Sequence, residues 1–445
     1  MPSDAIRSSR AGVLALGTLM TLLGACTPVA SAPVPQRLSP RAQLAHTIDS
    51  LVDRPMFRTA EWAVLVVDPA KHDTIYAHNP QLLMVPASNM KIVTSAVALT
   101  QLGGDFRYAT TFAAHGPIRN GVLEGDLVVT GRGDPTLSDH MRGSAQTAMG
   151  ELADSIVAHG VHAISGKLFS GANNFPDAPW GEQWAWDDLV YDYGAGVDEL
   201  YYNEGMTPTV AHRATGDTTI QVTSKDPTHD YLLMLAQALQ SRGVQLAQGV
   251  ADSVIPRDTV RQDTLFVYRS VPFREILPAL LKPSQNQIAE IFLRTVGLER
   301  TGVGSADSGI AVTKRQLTEW GIPRDGYVLH DGSGLSRADL VSNETLARVL
   351  DAIRSNPDFS SYYAALPIAG VDGTIRNRMK GTPAAGNVHA KTGSLGWVRS
   401  LSGYVTDASG RQLIFSTLCN KYTTPSDSVT HTADMIAAAL AAYRE

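Results

Sequence analysis

Cysteine is scarce in this sequence: the chain of 445 residues contains two, Cys26 and Cys419. A scaffold held together by several disulfides is therefore excluded, because such a scaffold needs a larger even set of cysteines. Cys419 ends an apolar segment that is typical of a buried strand, where a lone cysteine usually behaves as a small hydrophobic side chain. Cys26 follows an export-like segment, where it would be either acylated or removed. Cys419 would then have no cysteine to pair with, so we expect no disulfide even though the protein is exported.

Charged residues are also few, and their signs nearly balance. They make up 18% of the chain, the formal net charge is −6, and no long basic run occurs. Nucleic acid is therefore not an expected partner, because phosphate binding requires concentrated Lys and Arg. No pair of histidines has the spacing of metal ligands, so we predict no metal and no other cofactor. The apolar content of 44% is that of an ordinary globular protein.

The N-terminal segment has no hydrophobic run long enough to cross a bilayer comfortably. Two arginines precede the apolar run Ala11–Ala25, which suits a secretory signal. The run leads through Leu-Gly-Ala into Cys26, as in a bacterial lipoprotein signal. We therefore predict a signal peptide over residues 1–26, with Cys26 lipidated and holding the exported protein to a membrane on its periplasmic side. Cleavage after Ala32 is the competing interpretation. The Pro-rich residues 27–40 are predicted to be a linker.

Local patterns predict an α+β fold interrupted by an insertion. A hairpin is predicted within residues 61–77, and three apolar strands are predicted at 388–391, 397–405 and 412–419. These strands could form one five-stranded antiparallel sheet flanked by helices, provided that the intervening chain is inserted. The predicted helices cover residues 41–52, the segment from Ser88 to Gly103, and residues 145–158, 273–281, 287–298 and 431–443.

The sequence pattern changes in the segment between the predicted hairpin and the three late strands. Residues 105–260 contain short alternating segments separated by turn residues, which predicts an inserted β-rich domain. Residues 41–104 and 261–445 are assigned to one discontinuous main domain.

A Ser-x-x-Lys motif opens the helix that follows the hairpin. Ser88 and Lys91 stand at i and i+3, so their hydroxyl and amine share one face of the helix. Serine is a weak nucleophile that needs an adjacent base, and a lysine whose pKa is lowered by burial can be that base. Alone, the motif is weak, because a serine helix cap followed by a solvated lysine has the same pattern.

Two further motifs follow in later segments. A Ser-x-Asn pattern at Ser284 and Asn286 lies between two predicted helices, where hydroxyl and amide could face a cleft, although helix caps share this pattern. Lys391 begins Lys-Thr-Gly-Ser on an extended segment, where Gly393 would let another backbone come close. An edge-strand lysine before a turn is the structural alternative. Jointly, the three motifs are the signature of serine β-lactamases and penicillin-binding proteins.

The sequence resembles the class C low-molecular-mass penicillin-binding proteins, which are D-alanyl-D-alanine carboxypeptidases and endopeptidases. That family also has a large insertion between its first two motifs. The resemblance implies a serine β-lactamase/DD-peptidase-like fold, with the main domain as the catalytic domain. It is carried by the segments Val85–Lys91, Gly133–Leu137, Trp184–Leu189, Asp331–Arg337 and Leu366–Thr374.

Catalytic roles follow from the resemblance. It implies that Ser88 attacks the carbonyl of the penultimate D-alanine of a peptidoglycan stem peptide, and that Lys91 takes the serine proton. Ser284, with Lys391 nearby, would pass a proton to the departing D-alanine. Asn286 would hold Lys91 and the substrate amide. Water would then hydrolyse the acyl-enzyme, and β-lactam antibiotics would acylate the same serine.

Substrate-binding roles are implied in the same way. Thr392, Gly393 and Ser394 would bind the terminal carboxylate and the peptide backbone, with the N–H groups of Ser88 and Ser394 as the oxyanion hole. Arg337 and Asp188 would contact the side chain of the stem peptide, although a loop salt bridge or cap explains each as well.

Three alternatives share these residues. A β-lactamase or small-ester hydrolase would need a dedicated deacylating carboxylate, and no candidate is visible in the sequence. Endopeptidase action on D-amino-acid crosslinks would use the same groups. A non-catalytic β-lactam sensor or wall-binding protein would have no need of a nucleophile with its base.

Overall fold

The computed structural model describes residues 38–213, 216–254 and 263–445. The predicted signal peptide, its Cys26 and nearly all of the predicted linker lie outside these residues. Within the described ranges, no helix is both long and apolar enough to span a membrane.

Runs of strands and runs of helices follow one another along the described residues. The helices are α1 (Pro40–Val52), α2 (Met90–Leu102), α3 (Asp139–Arg142), α4 (Ala145–Ala158), α5 (Pro227–Gln240), α6 (Phe273–Leu281), α7 (Asn286–Thr301), α8 (Ala306–Glu319), α9 (Asn343–Ala352), α10 (Phe359–Ala365) and α11 (Ser426–Ala442). The strands are β1 (Glu61–Asp68), β2 (Asp73–His78), β3 (Ala109–His115), β4 (Ile118–Arg119), β5 (Val122–Leu123), β6 (Asp126–Thr130), β7 (Ala163–Ile164), β8 (Leu168–Ser170), β9 (Met206–Arg213), β10 (Gly216–Thr223), β11 (Gln245–Leu246), β12 (Val250–Val254), β13 (Asp263–Arg269), β14 (Tyr327–Val328), β15 (Leu340–Val341), β16 (His389–Leu395), β17 (Val398–Thr406) and β18 (Gln412–Asn420).

The predicted five-stranded sheet is present, in the order β16-β17-β18-β1-β2. All of its neighbouring strands are antiparallel. The early hairpin joins the late strands through β1 and β18, where Trp62 lies opposite Cys419. Cys419 is buried with a free thiol. Both faces of the sheet are covered by helices. α1 and α11 share a core with one face, and α9 packs on the other face, in a core that α2, α6 and α7 also line.

The chain between α2 and α6 forms its own sheets and core. Its larger sheet has the order β12-β8-β6-β3-β13, and the helices α4 and α5 pack against it. The segment is thus mixed α and β, and the sequence patterns did not predict α5. Strand β13, which follows the predicted end of the insertion at residue 260, pairs with β3 inside it. The division into domains remains a prediction, since residues Pro40–Glu445 form one contact unit.

Two predicted boundaries shift. The C-terminal helix begins at Ser426, before its predicted start at His431. The sequence pattern did not indicate this start because the first turns of the helix are polar and carry little hydrophobic periodicity. Strand β17 begins at Val398 rather than at Trp397, because Trp397 adopts a positive φ of 60° in the hairpin turn.

Candidate active site

The three sequence motifs, far apart in the chain, meet at one place in the fold. Lys91 Nζ donates a hydrogen bond to Ser88 Oγ over 2.9 Å and to Asn286 Oδ1 over 2.6 Å. Lys391 Nζ donates to Ser284 Oγ over 2.8 Å. The site therefore lies where the N-terminus of α2, the loop before α7 and the strand β16 converge.

Ser88 lies in a 3₁₀ turn, Ala87–Asn89, that leads directly into α2. The turn is anchored on β17, because Ser400 Oγ donates to the Pro86 carbonyl over 2.8 Å and Asn89 Nδ2 donates to Ser402 Oγ over 2.7 Å. Ala87 has a positive φ of 48°, a strained conformation for a residue with a β-carbon. Such strain is common beside a functional residue that the surrounding structure must hold.

Lys91 is fully buried and has three hydrogen-bond acceptors. Besides Ser88 and Asn286, its Nζ donates to the Ser333 carbonyl over 2.8 Å. Burial lowers the pKa of Lys91 to about 7, while the negative charges of Asp331 and Glu290 act against this shift. A buried amine with such a pKa is partly unprotonated near neutral pH, as a general base must be.

Lys391 and Ser284 form the second half of the site. Lys391 is also fully buried, and its Nζ donates to its neighbour's carbonyl, that of Thr392, over 2.9 Å. Burial, together with the nearby Lys91, lowers the pKa of Lys391 well below its usual value. Ser284 has a positive φ of 70° in the loop after α6. Asn286 ties this loop to the insertion, because its Nδ2 donates to the Tyr193 carbonyl over 2.8 Å.

The whole Lys-Thr-Gly-Ser motif lies within β16, at one edge of the sheet. Thr392 Oγ1 is 2.7 Å from Thr374 Oγ1, whereas Ser394 is exposed. A β-carbon on Gly393 would lie 2.6 Å from the Pro86 carbonyl oxygen, so glycine lets the strand approach the turn that carries Ser88. An edge strand of this kind can accept an extended peptide as a further strand.

Arg337 and Asp188 lie outside this hydrogen-bonded cluster. Asp188 Oδ1 accepts from the Tyr193 hydroxyl over 3.1 Å, and its buried Oδ2 has no hydrogen-bond partner among the described residues. Arg337 is exposed beside the β16–β17 turn, where a β-carbon on Gly396 would lie 3.8 Å from its Nη1. The structure thus brings together the three motifs but joins neither of these residues to them directly.

The sequence patterns missed the support behind Lys91. Glu290 is fully buried in α7 and contacts the loop that supplies the Ser333 carbonyl. A charged residue within the apolar stretch of a predicted helix was the available signal, because such residues are seldom buried without a partner.

We predict that Gly393→Ala lowers the rate of acylation by fluorescent penicillin about 10²-fold, since displacing a reacting group by about 1 Å has an effect of this size. The added methyl group would push the Pro86 carbonyl, and with it the turn that holds Ser88. The control is Gly396→Ala, whose added methyl group meets only ordinary contacts. Equal acylation rates for the two variants would contradict the prediction.

Comparison with known proteins agrees with this geometry. The model of the D-Ala-D-Ala carboxypeptidase 3 (S13) family matches residues 44–222 and 210–442. The chain belongs to this family. The predicted family and enzyme class, a serine-type D-alanyl-D-alanine carboxypeptidase, are thereby confirmed.

Individual relatives match over most of their length. The D-alanyl-D-alanine carboxypeptidase of Actinomadura sp. (strain R39) is 32% identical over 490 aligned positions, covering 95% of this chain and 88% of the relative. The crystal structure of penicillin binding protein 4 (dacB) from Haemophilus influenzae is 24% identical, with a TM-score of 0.78 over 89% of this chain and 99% of that one. The predicted fold is therefore confirmed. The same H. influenzae protein has been solved complexed with a β-lactam, at 25% identity and a TM-score of 0.69 over 90% of this chain and 98% of that one.

Proposed function

We propose that the protein hydrolyses the terminal D-alanine from peptidoglycan stem peptides through an acyl-Ser88 intermediate. The observation that carries this proposal is the 2.9 Å hydrogen bond between Ser88 Oγ and the Nζ of a fully buried Lys91. A hydroxyl beside an amine with a lowered pKa is an activated nucleophile. A second buried lysine and a second serine lie on the other side of the same site.

Acylation begins when the unprotonated Lys91 amine accepts the proton of Ser88 as Oγ bonds to the penultimate D-alanine carbonyl. The backbone N–H groups of Ser88 and Ser394 stabilise the oxyanion that develops. When the peptide bond breaks, the leaving D-alanine nitrogen takes a proton from Ser284, which Lys391 positions through their 2.8 Å hydrogen bond. The proton that Lys91 took from Ser88 then replaces the one that Ser284 gave up, and Lys91 is neutral again. A water molecule then hydrolyses the ester and restores the free serine.

Substrate recognition is assigned to groups around this centre. Thr392 and Ser394 bind the terminal carboxylate and the peptide backbone along β16, where Gly393 leaves room. Asn286 holds the substrate amide in addition to Lys91. The unpartnered Oδ2 of Asp188 suits an amine on the stem-peptide side chain, and the exposed guanidinium of Arg337 suits a carboxylate there.

A long-lived acyl-enzyme with β-lactams is part of the proposal. A β-lactamase needs a group that activates water against the ester, and among the described residues no carboxylate hydrogen bonds to Ser88. Glu290 Oε1 accepts hydrogen bonds from the backbone amides of Gly332 and Ser333, and its Oε2 is paired with Arg294. This arrangement favours a penicillin-binding carboxypeptidase over an antibiotic-degrading enzyme of the same fold.

The enzyme acts outside the cytoplasm, where peptidoglycan lies. We propose that lipidation of Cys26 holds it to a membrane on the periplasmic side, because the segment before Cys26 has the pattern of a lipoprotein signal.

Two substrates test the activity. We expect fluorescent penicillin to label the purified protein stoichiometrically and durably, and a stem peptide ending in D-alanyl-D-alanine to release D-alanine. Rapid turnover of the antibiotic would identify a β-lactamase, and labelling without peptide hydrolysis would identify a sensor. A crosslinked peptide dimer, assayed in parallel by mass spectrometry, measures endopeptidase action by the same groups.

A further inference from the structure

A buried cluster of charged side chains is connected to Lys91 through the backbone of Ser333. Glu290 and Arg294 stand one turn apart on α7 and are 0% and 1% exposed. Asp331, in the loop between β14 and β15, is 2% exposed. Burying such groups is unfavourable unless they are paired and hydrogen-bonded, so their contacts show what they hold in place.

Glu290 holds the loop that contacts the lysine. Its Oε1 accepts hydrogen bonds from the backbone N–H groups of Gly332 and Ser333, each over 2.9 Å. The carbonyl of the same Ser333 accepts from Lys91 Nζ over 2.8 Å. Only one residue of backbone therefore separates the carboxylate from the lysine amine, and the position of one fixes the position of the other.

Arg294 and Asp331 complete this support. Arg294 Nη1 lies 3.4 Å from Glu290 Oε2, and its Nη2 donates to the Ala178 carbonyl over 3.1 Å. Asp331 accepts from the Gly334 N–H over 2.6 Å and from Trp184 Nε1 over 2.8 Å. The support thus extends from Lys91 to the inserted segment that also carries Asp188.

The charges around Lys91 come from three elements. Glu290 acts on it from α7, where Arg294 is paired with Glu290. Asp331 acts from the loop between β14 and β15, and Lys391 from β16. Asp339 lies behind Asp331, and burial with the Asp331 charge raises its pKa well above the usual value, which favours its neutral form. Burial and Asp331 also raise the pKa of Glu290 to about 7, so Glu290 and Lys91 titrate in the same pH range and influence each other.

We propose that Glu290 is a positioning residue for acylation: it fixes the Ser333 carbonyl against Lys91, and its charge, balanced by Arg294, sets the pH at which Lys91 becomes a base. This inference rests on the proposed role of Lys91. Glu290 does not touch the reacting atoms.

The test is the pH dependence of acylation by fluorescent penicillin, measured from pH 5 to 9 in wild type and Glu290→Gln. Glutamine keeps an oxygen for the two N–H groups but removes the negative charge, so protonated Lys91 loses a stabilising partner. We expect the midpoint of the rising limb to move down by about one pH unit, and the limb to steepen to that of a single titrating group.

Two further variants separate charge from packing. In Glu290→Gln/Arg294→Met the cluster regains its original net charge, so we expect the midpoint to return toward the wild-type value. In Glu290→Asp the charge remains but its reach shortens, so we expect a nearly unchanged midpoint with a rate about tenfold lower. Glu299→Gln, on the same helix with its carboxylate partly exposed and paired to Arg132, is the matched control and should shift nothing.

The outcomes are distinct. A folded Glu290→Gln protein with the wild-type midpoint would overturn the inference and leave Glu290 as a packing residue. If Glu290→Gln does not fold, Glu290→Asp decides, and a wild-type rate in that variant would overturn the inference as well. Failure of the proposed function has a different signature, because a Lys91→Met protein would then acylate at the wild-type rate.

Discussion

Ser88→Ala is expected to abolish covalent labelling by fluorescent penicillin and to lower D-alanine release by at least about 10³-fold, an effect typical of losing the nucleophile of a covalent mechanism. The reason is positional: Ser88 Oγ accepts a hydrogen bond from Lys91, whereas the second serine of the site, Ser284, is bonded to Lys391. Labelling is measured on denaturing gels, and D-alanine release with a coupled assay.

The control for this variant is Ser50→Ala. Ser50 is exposed on α1, which lies on the face of the sheet opposite to the core that contains α2. It should label like the wild type. Thermal unfolding of Ser88→Ala should be nearly unchanged, because the removed hydroxyl is half-buried and its loss opens no large cavity. Penicillin bound covalently to a folded Ser88→Ala protein would assign the nucleophile elsewhere.

Lys91→Met is expected to slow acylation about 10²- to 10⁴-fold, the usual contribution of a general base. In wild type, acylation should rise with pH around a midpoint near 7, because only the unprotonated amine accepts the serine proton and burial lowers the pKa of Lys91 to about 7. Methionine has similar length and no titrating group, so the rising limb should disappear together with the rate.

Stability provides a second readout for Lys91→Met. The Asn286 amide oxygen and the Ser333 carbonyl would each lose the lysine as a hydrogen-bond donor. This loss lowers the free energy of unfolding by about 1–3 kcal/mol for each buried group left unsatisfied. Part of this loss is offset because methionine removes the unfavourable burial of the protonated Lys91 amine. The control Lys421→Met removes an exposed lysine paired with Glu61 and should alter neither rate nor pH dependence. A rising limb that persists in Lys91→Met would show that another group titrates.

Much of the main sheet could be predicted from local patterns. The strands at residues 61–68, 398–406 and 412–420 are largely buried on both faces, and the apolar runs that they contain between turn residues can be recognised without knowing their partners. The helix after Ser88 was equally readable, because Gly103 ends it.

The insertion could be predicted only in part. Strand β13 pairs with β3 across the whole inserted segment, and a pairing between distant segments leaves no local signature in either. The turn at Trp397 was equally unpredictable from local preference. Tryptophan rarely adopts a positive φ, and here the β16–β17 hairpin imposes this conformation.

The sequence by itself determined the family, the order of the three motifs and the residue types available for chemistry, since these depend on spacing along the chain. Only the tertiary structure decided how those groups are placed and how far they are buried. It buries Lys91 and Lys391 completely, surrounds the first with Asn286, Ser333 and the charges of Glu290 and Asp331, and leaves Arg337 exposed. The reason is that a pKa depends on solvation and on charges contributed by distant segments, which meet only when the chain has folded.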